Sequence, residues 1–146
     1  VVIIYGTMYN NTARMADYVA EMLAEKCVKN VKVYDSSKTH LSYLISEIWR
    51  CRYVVLGSCS YTRGMFPMMS HLCGTMKEIA LKNRKVAVFG GYSWGGGGVR
   101  TLKKFVEESG WERICDEKEI CGMTTPEKIC ELDAIADTIA RQLNAK

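Results

Sequence analysis

Five short apolar runs punctuate the chain, at Val1 to Tyr5, Val31 to Tyr34, Tyr53 to Gly57, Val86 to Phe89 and, more weakly, Arg113 to Cys121. They are short and β-branched, the pattern of strands buried on both faces. Between them the apolar period changes. Met15, Ala16, Val19, Ala20, Leu23 and Cys27 recur at intervals of three and four, and Leu41, Leu44, Ile45 and Ile48 repeat the device. That spacing lines one face of a helix. Further helices are expected over Pro67 to Leu81, Val99 to Ser109 and Pro126 to Leu143. The last gathers Ile129, Leu132, Ile135, Ala136, Ile139 and Leu143 on one face and carries Pro126 near its start, where a missing N–H costs little.

Strands that alternate strictly with helices imply right-handed crossovers and an α/β fold, a parallel sheet with helices on both faces. Five strands suit the doubly wound order 2-1-3-4-5. No repeat, low-complexity segment or linker interrupts the 146 residues, so one domain over 1–146 is expected. In such sheets a ligand sits beyond the carboxyl ends of the strands, where the strand order reverses. The loops after strands one, three and four are therefore the places to look.

Composition narrows the classes of function. Hydrophobic residues make up 48% and charged residues 25% of the chain, and no apolar run approaches the ~20 residues of a membrane span. The net charge of +4 comes from scattered Lys and Arg, with short groupings such as Lys82 to Lys85 and none of the dense tracts of nucleic-acid arms. Nucleic acid and membrane are not expected partners; the mild basic balance fits either a solvated surface of mixed charge or an acidic protein partner. Seven cysteines, none paired as C-x-x-C, indicate neither a disulfide framework nor a zinc ribbon, and fit reduced thiols in a cytoplasmic protein. The chain begins at Val1 inside an apolar run with no initiator Met, basic n-region or cleavage site, and is expected to be excised from a longer one.

The three loops differ from ordinary connections. "YGTMYNNT" (Tyr5 to Thr12) offers Thr7, Asn10, Asn11 and Thr12 beside the unpaired N–H groups and positive dipole end of the first helix. It reads equally as an anion seat and as a capped turn with Asn11 or Thr12 as N-cap. "GSCSYTRGMFP" (Gly57 to Pro67) presents Tyr61 among small and hydroxyl residues, with Gly57 and Gly64 permitting unusual backbone angles. For Cys59 and Met65 a plain connecting role is the simpler reading. "GGYSWGGGG" (Gly90 to Gly98) has four consecutive glycines, costly to order, and so implies close backbone approach to something; Tyr92 and Trp94 stand beside them. Neither a Gly-Lys-Ser/Thr phosphate loop nor G-x-G-x-x-G is present, which disfavours nucleoside triphosphates and dinucleotides. A phosphate at the first loop and a flat ring between aromatics at the others match the shape of FMN.

The segments "YGTMYNNTARMADYVAEML" and "FGGYSWGGGG" resemble the phosphate loop and the Gly-x-Tyr/Phe-x-Trp-x-Gly segment of the flavodoxin-like domain of flavodiiron proteins (A-type flavoproteins). The likeness runs through nearly the whole chain. By that resemblance Thr7, Met8, Tyr9, Asn10, Asn11 and Thr12 would hold the phosphate. Ser58, Cys59, Ser60, Tyr61, Thr62 and Arg63 would border the ring and ribityl chain, although "SCSYTR" replaces the Pro, Thr and two Asn common there. Gly91, Tyr92, Ser93, Trp94 and Gly95 would line the other side. Full family members join this domain to an amino-terminal metallo-β-lactamase-like domain whose diiron centre reduces oxygen or nitric oxide, and they are typically head-to-tail homodimers. With only His40 and His71, this chain cannot house that centre itself, and no metal site or catalytic residue is expected. The resemblance thus implies a flavodoxin-like FMN-binding electron-transfer domain, the carboxyl-terminal part of an oxidoreductase, that relays electrons from rubredoxin or a reductase. A free-standing flavodoxin and a non-redox binding module of the same fold are the competing readings; carriers are usually acidic, which the charge of +4 opposes. Stacking on Tyr92 and Trp94 would disfavour an anionic reduced ring and the basic balance would favour it.

Overall fold

The computed structural model describes residues 1–92 and 95–145. In chain order the elements are β1 (Val2–Gly6), α1 (Asn11–Glu25), β2 (Lys32–Asp35), α2 (Leu41–Arg50), β3 (Tyr53–Tyr61), β4 (Gly64–Met65), α3 (Pro67–Ile79), β5 (Lys85–Tyr92), α4 (Gly98–Ser109), β6 (Glu112–Arg113), β7 (Lys118–Cys121), α5 (Pro126–Ile129) and α6 (Asp133–Asn144). The sheet runs β2-β1-β3-β5-β6, with β7 also parallel to β5 and β4 antiparallel to the end of β3. Both β2 and β3 flank β1, so the strand order reverses at the carboxyl ends of β1 and β3.

Strand alternation divides the core into two layers. Val2 and Ile4 of β1, Val54 and Leu56 of β3 and Val86 and Val88 of β5 face one way, against residues of α2, α3 and α4. Ile3, Val55, Ala87 and Phe89 face the other, against Met15, Ala16, Val19 and Leu23 of α1 and Ile135, Ala136 and Ile139 of α6. Each strand is apolar on both faces because both faces are covered. No helix among the described residues is long and apolar enough to cross a membrane.

The expected order 2-1-3-4-5 differs from the observed one in two places. First, Gly57 to Pro67 is not a loop. β3 continues to Tyr61, turns through Thr62 and Arg63 and returns as β4, which takes the fourth number. The turn residues with left-handed backbone are Thr62 and Arg63, at φ 48° and 61°, rather than Gly57 and Gly64. Gly57 is needed for space instead: a Cβ there would run into the ring of Phe89. Second, the fifth lane is two strands. Val86 pairs Arg113 and Phe89 pairs Lys118, three steps along β5 against five along the lane, so two extra residues bulge out between β6 and β7.

The last expected helix is also divided. Ile129, Leu132 and Ile135 lie three apart, and an α-helix would rotate each successive one away from the core. A 3₁₀ turn over Cys130–Leu132, at three residues per turn, keeps them aligned between α5 and α6. Thr125 caps the first piece by accepting from the Lys128 N–H at 3.3 Å.

Candidate functional site

A cavity of about 490 Å³ opens at the carboxyl edge of the sheet, over the reversal of strand order. It is lined by Thr7, Met8, Tyr9, Asn11 and Thr12 after β1, by Cys59, Ser60, Thr62 and Arg63 on the β3–β4 ribbon, by Gly91, Tyr92 and Gly95 at and beyond the end of β5, and by Gly122 after β7. Loops distant in sequence meet here because their parent strands are neighbours.

The first wall is short of hydrogen-bond partners. The hydroxyl oxygens of Thr7 and Thr12 are buried and have no partner among the described residues. A buried polar group left in that state costs about 1–3 kcal/mol. Asn10 stands at the N-cap of α1 with left-handed backbone (φ 67°), and its side chain makes no capping hydrogen bond. The helix therefore starts at Asn11, one residue after this cap, and neither Asn11 nor Thr12 is the N-cap. No acidic residue occupies its first turn. Arg14 N–H donates to the Asn10 carbonyl at 3.1 Å, whereas the N–H groups before it have no acceptor within the helix. Asn11 Nδ2 donates to the Gly122 carbonyl at 3.4 Å, tying this wall to the fifth lane. Met8 and Tyr9 project outward, Tyr9 with 84% of its surface exposed.

The second wall is a ribbon clamped by its own hydroxyls. Ser58 is buried beneath it; Oγ donates to the Cys59 carbonyl at 2.8 Å and accepts from the Phe66 N–H at 2.8 Å. It builds the wall without lining the cavity. Ser60 Oγ accepts from the Gly98 N–H at 3.1 Å, and Arg100 Nη2 donates to the Arg63 carbonyl at 3.2 Å, fixing the ribbon to α4. Tyr61 lies outside the cavity, edge-to-face with Phe66 at 6.4 Å between ring centroids. Burial pushes the Cys59 thiol up in pKa, against the opposing pull of the Met8 amide.

The glycine run serves this ribbon as much as any ligand. A Cβ on Gly97 (φ 151°) would collide with the Arg63 backbone, and one on Gly98 would stand 2.7 Å from the Cys59 carbonyl oxygen. Gly95 has open space around it and lines the cavity. Tyr92 has its phenol pKa raised, chiefly by a hydrogen bond with the Cys121 side chain. Ser93 and Trp94 lie outside the described residues.

Twelve of the seventeen residues selected from the sequence thus meet in one cavity, and Asn10, Ser58 and Tyr61 stand beside it. Gly122 is the addition. Its φ of 77° and its N–H, which donates to the Tyr92 carbonyl at 2.7 Å, fold the chain back over the cavity rim. A glycine directly after the fifth apolar run was the available signal. No carboxylate lines the cavity among the described residues, and no group of three or more His, Cys, Asp or Glu is placed there to hold a metal ion. The lining suits recognition of an anion and a flat apolar body by hydrogen bonds and contact.

The family profile described as Flavodoxin matches residues 3–145. An uncharacterized protein of Methanocaldococcus jannaschii is 34% identical over 116 residues, covering 80% of this chain and 29% of that protein. The anaerobic nitric oxide reductase flavorubredoxin of Escherichia coli is 28% identical over 113 residues, 77% of this chain and 24% of its own length. Among solved structures, the rubredoxin oxygen:oxidoreductase of Desulfovibrio gigas superposes with a TM-score of 0.92 at 26% identity, over 99% of this chain and 36% of that one. This chain spans less than a third of the length of these curated relatives. A doubly wound sheet, a cavity where its order reverses and a match reaching from residue 3 to 145 agree: the chain belongs to the flavodoxin family, and its cofactor is FMN.

Proposed function

We propose that this chain is the FMN-binding, electron-relaying part of a longer cytoplasmic oxidoreductase. It receives electrons from a rubredoxin-like protein or a reductase and delivers them to a diiron oxygen or nitric oxide reductase centre on a separate domain, within a homodimer. The observation that carries the cofactor's placement is the pair of buried hydroxyls of Thr7 and Thr12, unpartnered among the described residues, before and at the start of α1, whose N-cap side chain makes no capping hydrogen bond. A phosphate satisfies both hydroxyls and the free N–H groups together, and the helix dipole favours its charge.

In this reading Thr7, Asn11, Thr12 and the α1 amides bind the phosphate. The β3–β4 ribbon and the Gly91–Tyr92 backbone hold the ring between them, and Tyr92 supplies an aromatic contact. Met8 and Tyr9 stand at its margin. When bound, FMN supplies the one- and two-electron chemistry; the protein's part is to bind, orient and bias it. Among the described residues the lining carries neither carboxylate nor imidazole. The larger role is supported by the likeness to the E. coli flavorubredoxin and the D. gigas oxidoreductase, both longer than this chain.

Reconstitution tests the site. Apoprotein mixed with FMN and passed through gel filtration is expected to elute yellow, with flavin fluorescence quenched. A colourless protein fraction with undiminished free flavin would overturn the reading. For the relay, mixing the loaded protein with reduced rubredoxin is expected to bleach the flavin rapidly.

A further inference from the structure

Among the described residues that line the cavity, Arg63 alone carries a formal charge. It sits at the tip of the β3–β4 ribbon with left-handed backbone at φ 61°, following Thr62 at φ 48°. Side chains with a Cβ disfavour that region, so the conformation persists only where surroundings hold it. Here they do. Arg100 donates to the Arg63 carbonyl at 3.2 Å, Gly97 packs against the same carbonyl so closely that no Cβ fits, and Gly98 N–H binds Ser60 at 3.1 Å. None of the ion pairs among the described residues uses the Arg63 guanidinium. A cation is therefore carried on a braced turn at the wall of the cavity, unpaired by any carboxylate among the described residues.

We propose that Arg63 is the residue that biases this chain toward reduced FMN. The inference rests on the FMN site proposed above. Two electrons and one proton convert the neutral oxidised ring into an anionic one at neutral pH, while the charge of the phosphate stays as it was. A cation carried at the cavity wall stabilises the anionic product more than the neutral oxidised ring. Aromatic contact from Tyr92 acts in the opposite direction, as the electron-rich ring face disfavours an anion. Arg63 tips the balance because an opposite charge a few ångströms away shifts a protonation equilibrium by about tenfold or more. Its partly hydrated position on an exposed turn places the effect at the lower end of that range.

Two variants test the idea without disturbing the turn. Arg63→Asn removes the charge and keeps a residue that tolerates left-handed backbone, and Arg63→Lys restores the charge. The affinity for oxidised FMN is read from fluorescence quenching, and the midpoint potential from titration with dithionite against a reference dye. For Arg63→Asn the reduced form is expected to lose about tenfold more affinity than the oxidised form, lowering the two-electron midpoint by about 30 mV. Arg63→Lys should recover most of the difference. An unchanged midpoint in Arg63→Asn, an equal weakening of both forms, or a lysine variant that behaves like asparagine would overturn the role of Arg63 alone. Failure of the wild-type chain to bind FMN would remove the proposed site and this inference with it.

Discussion

The hydroxyl of Thr12 is worth more to a ligand than to the fold. Left buried without a partner, it destabilises the protein by itself; bound to a phosphate, it makes a charge-assisted hydrogen bond worth about 1.5–3 kcal/mol. Thr12→Val separates the two effects. The apoprotein is expected to melt at the same temperature or higher, while FMN binds about tenfold to a hundredfold more weakly. Thermal denaturation and a fluorescence titration check the pair, and an equal loss of stability and affinity would contradict it. At this scale the sequence was a partial guide. It marked Ser58 and Thr12 alike as cofactor contacts, yet Ser58 clamps the ribbon and the Thr12 hydroxyl has no partner among the described residues. The difference is set by backbone partners eight residues away and by the register of β3, neither of which a residue type encodes.

Elements show a similar division. The glycine run signalled close backbone approach, but the neighbour of Gly97 and Gly98 is the β3–β4 ribbon, a contact made across more than thirty residues. Periodicity could not anticipate it, since the ribbon itself read as a loop. Gly97→Ala introduces a Cβ at φ 151° into the Arg63 backbone, at a cost of about 1–3 kcal/mol for the backbone strain alone. Lower urea midpoints and faster amide exchange over residues 58–65 are expected, with weaker FMN binding as the wall loosens. Undisturbed exchange in that ribbon would mean that α4 does not brace it. Helix α1 was plain from its apolar spacing because burial of Met15, Ala16, Val19 and Leu23 follows the helical period directly. The split of the last helix was hidden because a run of three-residue steps looks nearly the same in both helix types.

For the whole molecule, strand order was the most legible feature. Alternation of strands and helices constrains handedness and coverage, and hence the edge on which the cavity lies, well before any side chain is placed. Interruptions such as the two-residue bulge of the fifth lane leave no mark in the apolar pattern. Because the cavity collects loops from four strands, a ligand there should stabilise the fold as a unit. At about a hundredfold excess over its dissociation constant, FMN should add about 2.7 kcal/mol and raise the melting temperature by about 5–10 °C. A shift confined to local probes, with no global change, would argue against a site shared by these loops. The brace between the ribbon and α4 has a kinetic consequence. Ser58, Ser60, Gly97 and Arg100 hold the second wall in shape through protein contacts alone. Little ordering of that wall remains to be done on association, so it should contribute little to the barrier, and capture should depend only weakly on substitutions in the phosphate loop. Variation in affinity among such variants should then be written in residence time.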